Sequence, residues 1–219
     1  MSRLSHSWDM LPQDARRLQM KLAAHVIREN RLETVKTVAG IDVGIKGDMA
    51  CAAIVVLNFP KLDVAAQATA TRRITCPYIP GLLSFREGPV ILDALDRLDR
   101  KPDLLIFDGQ GIAHPYRLGI ASHIGLLTDL PSIGCAKSRL CGQYQEPDVE
   151  RGRHVPLMDH GETIGAIVRT RTGVKPVFVS IGHRVDLKTS IDYVLGCCKG
   201  YRLPETTRKA HRLASDVLC

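Results

Sequence analysis

The chain has 219 residues, 45% hydrophobic and 24% charged, enough apolar material for one domain with a sizeable core and too much for global disorder. Lys and Arg outnumber Asp and Glu by 30 to 23, a net charge of +7 that favours a polyanionic partner, nucleic acid first. Seven cysteines without a Cys-x-x-Cys pair exclude a zinc ribbon and fit reduced thiols in the cytoplasm, residues 1–8 lack the apolar core of a secretory signal, and no apolar run is long enough to cross a bilayer.

Residues 11–31 read as a helix, with Pro12 in its first turn and Leu18, Leu22, His25 and Val26 at helical spacing. Strands follow at 34–45 and 50–57, joined by a hairpin turn marked by Gly44 and Gly47-Asp48, and a third is expected at 69–75. The segment Pro77-Tyr78-Ile79-Pro80-Gly81 then holds an aromatic ring between two prolines, which fix φ and stiffen the loop around it. Such a loop suits a wedge. Ser84 is placed to cap the next helix with Glu87 as its capping-box partner, and Val90, Ile91, Ala94, Leu95 and Leu98 form that helix's apolar stripe.

Residues 103–107 form a short apolar strand that ends in Asp108-Gly109-Gln110-Gly111. A helix is expected at 117–127, a strand at 132–136, a Pro-containing loop over 143–161, and a strand pair at 163–170 and 177–181. Leu187, Ile191, Val194, Leu195 and Cys198 line a further helix, and 204–213 form a last one. Early hairpin strands followed by alternating strands and helices predict one mixed α/β sheet covered on both faces, with ligands at the carboxyl ends of the strands.

Asp42, inside an apolar strand, and Asp108, at the end of another, meet at one site if those strands are neighbours. With Glu87 they are the pieces of a divalent-metal site, since carboxylate oxygens suit Mg²⁺ or Mn²⁺. Each has a structural alternative: Asp42 and Asp108 as turn residues, Glu87 as the capping-box partner. A carboxylate buried without partner or metal is costly, which weighs against that alternative for Asp42. Lys137 can neutralise a phosphate or a leaving oxyanion, or be a solvated surface lysine. His114, before Pro115, can be a satisfied buried imidazole. The basic run over 199–212, with Tyr201 inside it, suits a phosphate backbone or a solvated C-terminal helix. His160-Gly161-Glu162 matches half of a zinc base-deaminase signature, but Pro-Cys-x-x-Cys is missing.

Together these segments resemble the endonuclease V family, the deoxyinosine 3′-endonucleases. The resemblance is carried by Ala39-Gly40-Ile41-Asp42-Val43, Pro77 to Gly81 with Phe85-Arg86-Glu87, Asp108-Gly109-Gln110-Gly111 with His114-Pro115, and Gly119 with Ala121-Ser122-His123-Ile124-Gly125. Gly134-Cys135-Ala136-Lys137, Ser180-Ile181-Gly182-His183 and Gly200-Tyr201-Arg202-Leu203-Pro204 extend it over residues 35–212. It implies a ribonuclease H-like mixed five-stranded sheet flanked by helices. It implies Mg²⁺-dependent hydrolysis of the second phosphodiester 3′ to deoxyinosine in double- or single-stranded DNA, with Mn²⁺ able to substitute, leaving a 3′-hydroxyl and a 5′-phosphate. Asp42 and Asp108 are then metal ligands, Glu87 completes the carboxylate set, His211 is a further residue of the metal site, and Lys137 contacts the scissile phosphate. Pro77, Tyr78, Ile79 and Pro80 form the wedge. Gly81, Leu83, Gly109, Gly111, Gly119 and Ile120 line the pocket for the extruded base, with His114 nearby. A monomer without a membrane partner is expected.

This chain departs from the family pattern twice. Gly44-Ile45 stands where Ser-Tyr is usual, and Tyr116 precedes Arg117 where Arg directly follows His-Pro, which removes or shifts a phosphate contact. Rival readings are a nuclease for inosine in RNA or for branched DNA, a lesion-binding module that does not cut, and an actin-type kinase suggested by Ile41-Asp42-Val43-Gly44.

Overall fold

A computed structural model of the chain describes residues 5–218, with the side chain of 218 excepted; Cys219 and Met1 to Leu4, the start of the segment read for a signal, lie outside the described residues. The elements run α1 (Pro12–Ala23), β1 (Thr37–Lys46), β2 (Met49–Asn58), β3 (Val64–Arg73), α2 (Leu83–Asp96), β4 (Leu104–Phe107), α3 (Ile120–Thr128), β5 (Ser132–Ala136), β6 (His154–Asp159), β7 (Glu162–Val168), β8 (Val177–His183), α4 (Leu187–Gly196) and α5 (Glu205–Leu218). The expected five-stranded sheet is instead an eight-stranded mixed sheet in the order β3-β2-β1-β4-β5-β8-β7-β6. β1 pairs antiparallel with β2 and parallel with β4, so the central strands point their carboxyl ends the same way.

The sheet alternates its side chains as a pleat must. Ala39, Ile41, Leu105 and Phe107 point to one face, where Val90, Ile91, Ala94 and Leu95 of α2 and Ile120 and Ile124 of α3 cover them. Val38, Leu104 and Ile106 point to the other, under Ile191 and Val194 of α4 and Ala210 of α5. The expected coverage of both faces is therefore present.

Four expectations need correction. The first helix ends at Ala23, not near residue 31, because the chain turns there and returns to pair with residue 184: Arg31 N–H donates to Arg184 O at 3.0 Å and Arg184 N–H to Ile27 O at 2.7 Å. The capping box at Ser84 and Glu87 does not form. Helix α2 starts two residues earlier, at Leu83 with Leu82 as its N-cap, and Ser84 turns inward to His123 Nδ1 at 2.9 Å. The stretch 143–161, read as loop, contains β6, whose Pro156 argued against a strand. β6 is the outer strand of the sheet, where proline is tolerated, and His160-Gly161, both at positive φ, make the turn into β7. Last, α5 continues to Leu218.

The six described cysteines are free thiols, as expected, and burial raises the thiol pKa of Cys135, Cys197 and Cys198. No helix among the described residues is long and apolar enough to cross a membrane.

Candidate active site

Parallel pairing of β1 with β4 matches Ile41 with Phe107, and the Asp108 N–H donates to Ile41 O at 3.2 Å. Asp42 and Asp108, one residue further on each strand, therefore stand side by side, with side chains only 13% and 10% exposed. Two elements bring further groups from opposite sheet faces. His211 on α5 donates from Nδ1 to Asp42 Oδ2 at 2.8 Å. Glu87 on α2 is close enough to feel both aspartates: burial first, and then Asp42, push its pKa up to about 8. Burial also raises Asp108, against the lowering effect of Lys137, whose ammonium pairs with Asp108 Oδ2.

The five polar groups expected at the chemical centre thus gather at the carboxyl ends of β4 and β5, beside the middle of β1. They are not arranged as a ready-made cage. Among the described residues, no three His, Cys, Asp or Glu side chains already surround a common point. Lys137 takes one Asp108 oxygen and His211 one Asp42 oxygen, so one oxygen of each aspartate is already engaged.

Beside this cluster lies a cavity of about 290 Å³. Asp108 and Lys137 form one wall, so the cavity and the carboxylates share a border. Tyr78, 62% exposed, stands at the rim. Of the residues assigned to the base pocket, Gly81, Leu83, Gly109, Gly119 and Ile120 line this cavity, with His114, and Gly111 does not; Pro77, Ile79 and Pro80, assigned to the wedge, lie outside its lining. Ile79 packs inward towards Leu82 and Phe85 and anchors the Tyr78 loop. Gly111 is a packing glycine: a Cβ there would come within 1.9 Å of Ile181 O. Sequence reasoning missed Ser84, Gln110, Leu118, Ala136 and Ser138 to Leu140 as lining residues. Gln110 was visible inside the Gly-Gln-Gly turn.

His114 holds the loop's end. Its Nδ1 accepts from Tyr116 N–H at 3.1 Å, so Nε2 carries the proton and donates to Gly81 O at 3.0 Å. Gly81 sits at φ +82, a conformation that favours glycine.

The profile of the family described as Endonuclease V matches residues 20–212. The chain belongs to the Endonuclease V family. It is 55% identical over 208 residues to an Endonuclease V of Roseiflexus sp. (strain RS-1), covering 95% of this chain and 94% of the relative. The crystal structure of Endonuclease V from Streptomyces avermitilis superposes with a TM-score of 0.92 at 44% identity, covering 99% of this chain and 96% of that one. The Ciona intestinalis Endonuclease V, solved in complex with a 24mer DNA containing an inosine followed by a ribo-adenosine, matches at 27% identity and TM-score 0.82, covering 94% and 97%. Membership makes the chain an endonuclease in kind, with the mixed α/β fold of its relatives.

Arg117, one place later than the family resemblance implies, has a structural use of its own. Arg117 is not turned to the cavity. It donates from Nε to Glu162 at 2.7 Å, pairs through Nη2 with Asp159 at 2.8 Å, and donates to His114 O at 2.8 Å. At 16% exposure it braces the 111–119 segment against the β6–β7 hairpin. Two arginines of the basic run near the C-terminus are likewise engaged within the protein. Arg202 donates to the carbonyls of Lys137, Lys175 and Pro176, and the Arg208 guanidinium stacks 3.5 Å over the Tyr201 ring while pairing with Glu205.

The buried titratable groups are expected to make stability depend on pH. Burial lowers the pKa of His114 to about 4 and of His123 to about 3, from an ordinary 6.5. Both stay neutral in the fold, so below pH 6.5 the unfolded chain takes up two protons that the folded chain refuses, and stability falls. Glu87 acts oppositely. Its folded pKa of about 8 against an ordinary 4.5 means that stability falls as pH rises through that window. These three groups together contribute a loss of roughly 1.4 kcal/mol per pH unit on each side of about pH 6.5; His183, which burial also lowers, steepens the acid side, and Asp108, which burial raises, opposes it. Thermal denaturation in EDTA from pH 5 to 8.5 is expected to show it. Glu87→Gln is expected to remove the alkaline fall and steepen the acid one; a Tm independent of pH above 6.5 in the parent protein would contradict the burial of Glu87.

Proposed function

We propose that this chain recognises deoxyinosine in DNA and hydrolyses the second phosphodiester bond 3′ to it, leaving a 3′-hydroxyl and a 5′-phosphate, in a Mg²⁺-dependent reaction that Mn²⁺ also supports. The observation that carries this reading is the shared border: one aspartate, Asp108, is both a wall of a cavity and a member of the carboxylate cluster. The inosine-containing DNA bound by the Ciona relative supports the same substrate class. The ribonuclease H-like reading of the fold rests on the β3-β2-β1-β4-β5 part of the sheet, which β8, β7 and β6 extend.

The donor set suits a hard dication in its chemistry. Three carboxylates share one site, and Glu87 holds a proton up to about pH 8 partly because Asp42 and Asp108 crowd it with negative charge. Asp42, Asp108 and Glu87 would hold the ion, with His211 positioning Asp42. When bound, it supplies a Lewis acid that polarises phosphate and activates water.

The protein's own groups do the rest. Tyr78, on a loop stiffened by Pro77 and Pro80, stacks into the gap left by the extruded base and recovers on the order of 1–3 kcal/mol of the unstacking cost. The glycines at 81, 109 and 119 let a flat ring reach main-chain groups that read the O6 and N1–H edge of hypoxanthine. Adenine offers an amino group and a bare N1 at the same edge, so it would oppose donor to donor. Lys137, paired with Asp108 in the free protein, is placed to turn its ammonium to the scissile phosphate.

The deciding experiment is a nicking assay with hypoxanthine placed in DNA and in RNA, in Mg²⁺ and in EDTA. Cutting of the DNA substrate in Mg²⁺ alone is expected. Equal cutting of an adenine control, or cutting in EDTA, would remove the proposal. Preference for the RNA substrate would favour an inosine ribonuclease, a reading to which the ribo-adenosine beside inosine in the Ciona complex lends weight. Tyr78→Ala is expected to lower the preference for hypoxanthine over adenine duplexes by roughly tenfold, as loss of one stacking contact would. An unchanged binding ratio would withdraw the wedge role.

A further inference from the structure

Helix α1 packs on the start of α2 and the segment before it, and on the edge of the main core. Its buried side is Ala15, Gln19 and Leu22, a helical stripe with an amide in the middle. Ala15 meets Leu82 and Phe85, and Leu22 enters the main core. Gln19 between them is 0% exposed.

The amide makes a bridge. Gln19 Nε2 donates to Gly81 O at 2.8 Å and to Leu118 O at 3.1 Å. Gly81 closes the Tyr78 loop, and Leu118 leads into Gly119 and Ile120; all of these line the cavity. Because both partners are carbonyls, only the amino end of the side chain can face them, so the orientation is fixed. Its other end, Oε1, is buried without a protein hydrogen-bond partner. An apolar side chain of the same shape would leave no orphaned acceptor, so the feature that an amide adds here is the bridge.

We infer that Gln19 is a positioning residue whose carboxamide fixes the separation of the Tyr78 loop from the opposite cavity wall, and so sets the mouth of the base pocket. The inference rests on the reading of that cavity as the lesion site. His114 contributes the second donor to Gly81 O, so the loop's last carbonyl is held from two directions, by α1 and by the 111–119 segment.

Gln19→Met keeps the volume and removes both the bridge and the orphan. Gln19→Glu keeps the shape, but the protonated carboxyl that burial favours carries one O–H and can donate to only one of the two carbonyls. Native-state hydrogen exchange of both variants should show the Leu82 and Gly119 amides, bonded to Ile79 O and Gly111 O, exchanging about tenfold faster than in the parent. The affinity ratio for hypoxanthine over adenine duplexes should fall by roughly fivefold while kcat stays within about twofold, as expected when preorganisation rather than chemistry is lost. Unchanged exchange at both amides in both variants, whatever happens to Tm, would make Gln19 a core-packing residue and overturn the inference. Faster exchange in a protein whose parent form binds the two duplexes equally would leave the clamp standing and remove the lesion reading instead.

Discussion

Asp108→Asn is expected to lower cleavage of a hypoxanthine duplex by on the order of 10³-fold or more, the scale seen when a group acting on the developing charge is removed from a cooperating set. The variant should still fold and still bind the lesion. Burial already opposes the charge on Asp108, so a neutral isostere relieves a desolvation cost. Its partner Lys137 is 44% exposed and can turn to solvent, so no buried charge is stranded. The cavity wall keeps its shape, because asparagine fills the same space. Single-turnover nicking, gel-shift affinity and Tm together separate the possibilities. Undiminished nicking would remove Asp108 from the chemistry. Lost nicking with a Tm lowered by more than about 5 °C, which is a change of 1–2 kcal/mol for a chain of this length, would point to misfolding instead.

Much of this site was legible before any coordinates, for a local reason. An acidic residue inside the apolar strand Ala39 to Val43, and another ending the run Leu104 to Phe107, are expensive unless used. Parallel neighbouring strands then bring them together without further information. The stiff Tyr78 loop is likewise written in two prolines. His211 entered only through family likeness, since nothing in a basic helix marks which histidine turns towards a strand 169 positions away.

The misses share a different cause. Ser84 reads as a cap when helix ends are judged from neighbours in sequence; its actual partner, His123, lies 39 residues on, and His123 is in turn joined to His6 across 117 residues at 2.8 Å. Gln19 escapes because a search for an amphipathic stripe counts apolar residues and passes over a buried amide. β6 escapes because proline lowers strand propensity everywhere, while its cost depends on whether the strand is at an edge. Propensity and periodicity are local quantities; partner identity is a tertiary one.

Gly40→Ala is expected to damage the protein more than any exposed substitution near the site, by roughly 3 kcal/mol or more, a Tm loss of about 6–12 °C. A Cβ at Gly40 would lie 2.0 Å from Thr206 O and 2.8 Å from Thr207 N. Both contacts are backbone at the start of α5, and Thr206 and Thr207 are 0% and 1% exposed, so neither side can yield by a rotamer change. The helix itself must move off β1. Gly40 and Asp42 share a strand face, as residues two apart must, and α5 lies over both. A displaced α5 therefore carries His211 away from Asp42, and activity should fall even in the fraction that stays folded. Gly47→Ala is the control. Gly47 lies in the turn that follows β1, at φ +61 with open space around it, so alanine there meets only the left-handed backbone cost of about 1 kcal/mol and should leave cleavage unchanged. A Gly40→Ala protein with parental Tm and activity would mean that α5 does not approach β1 closely enough for His211 to steer Asp42.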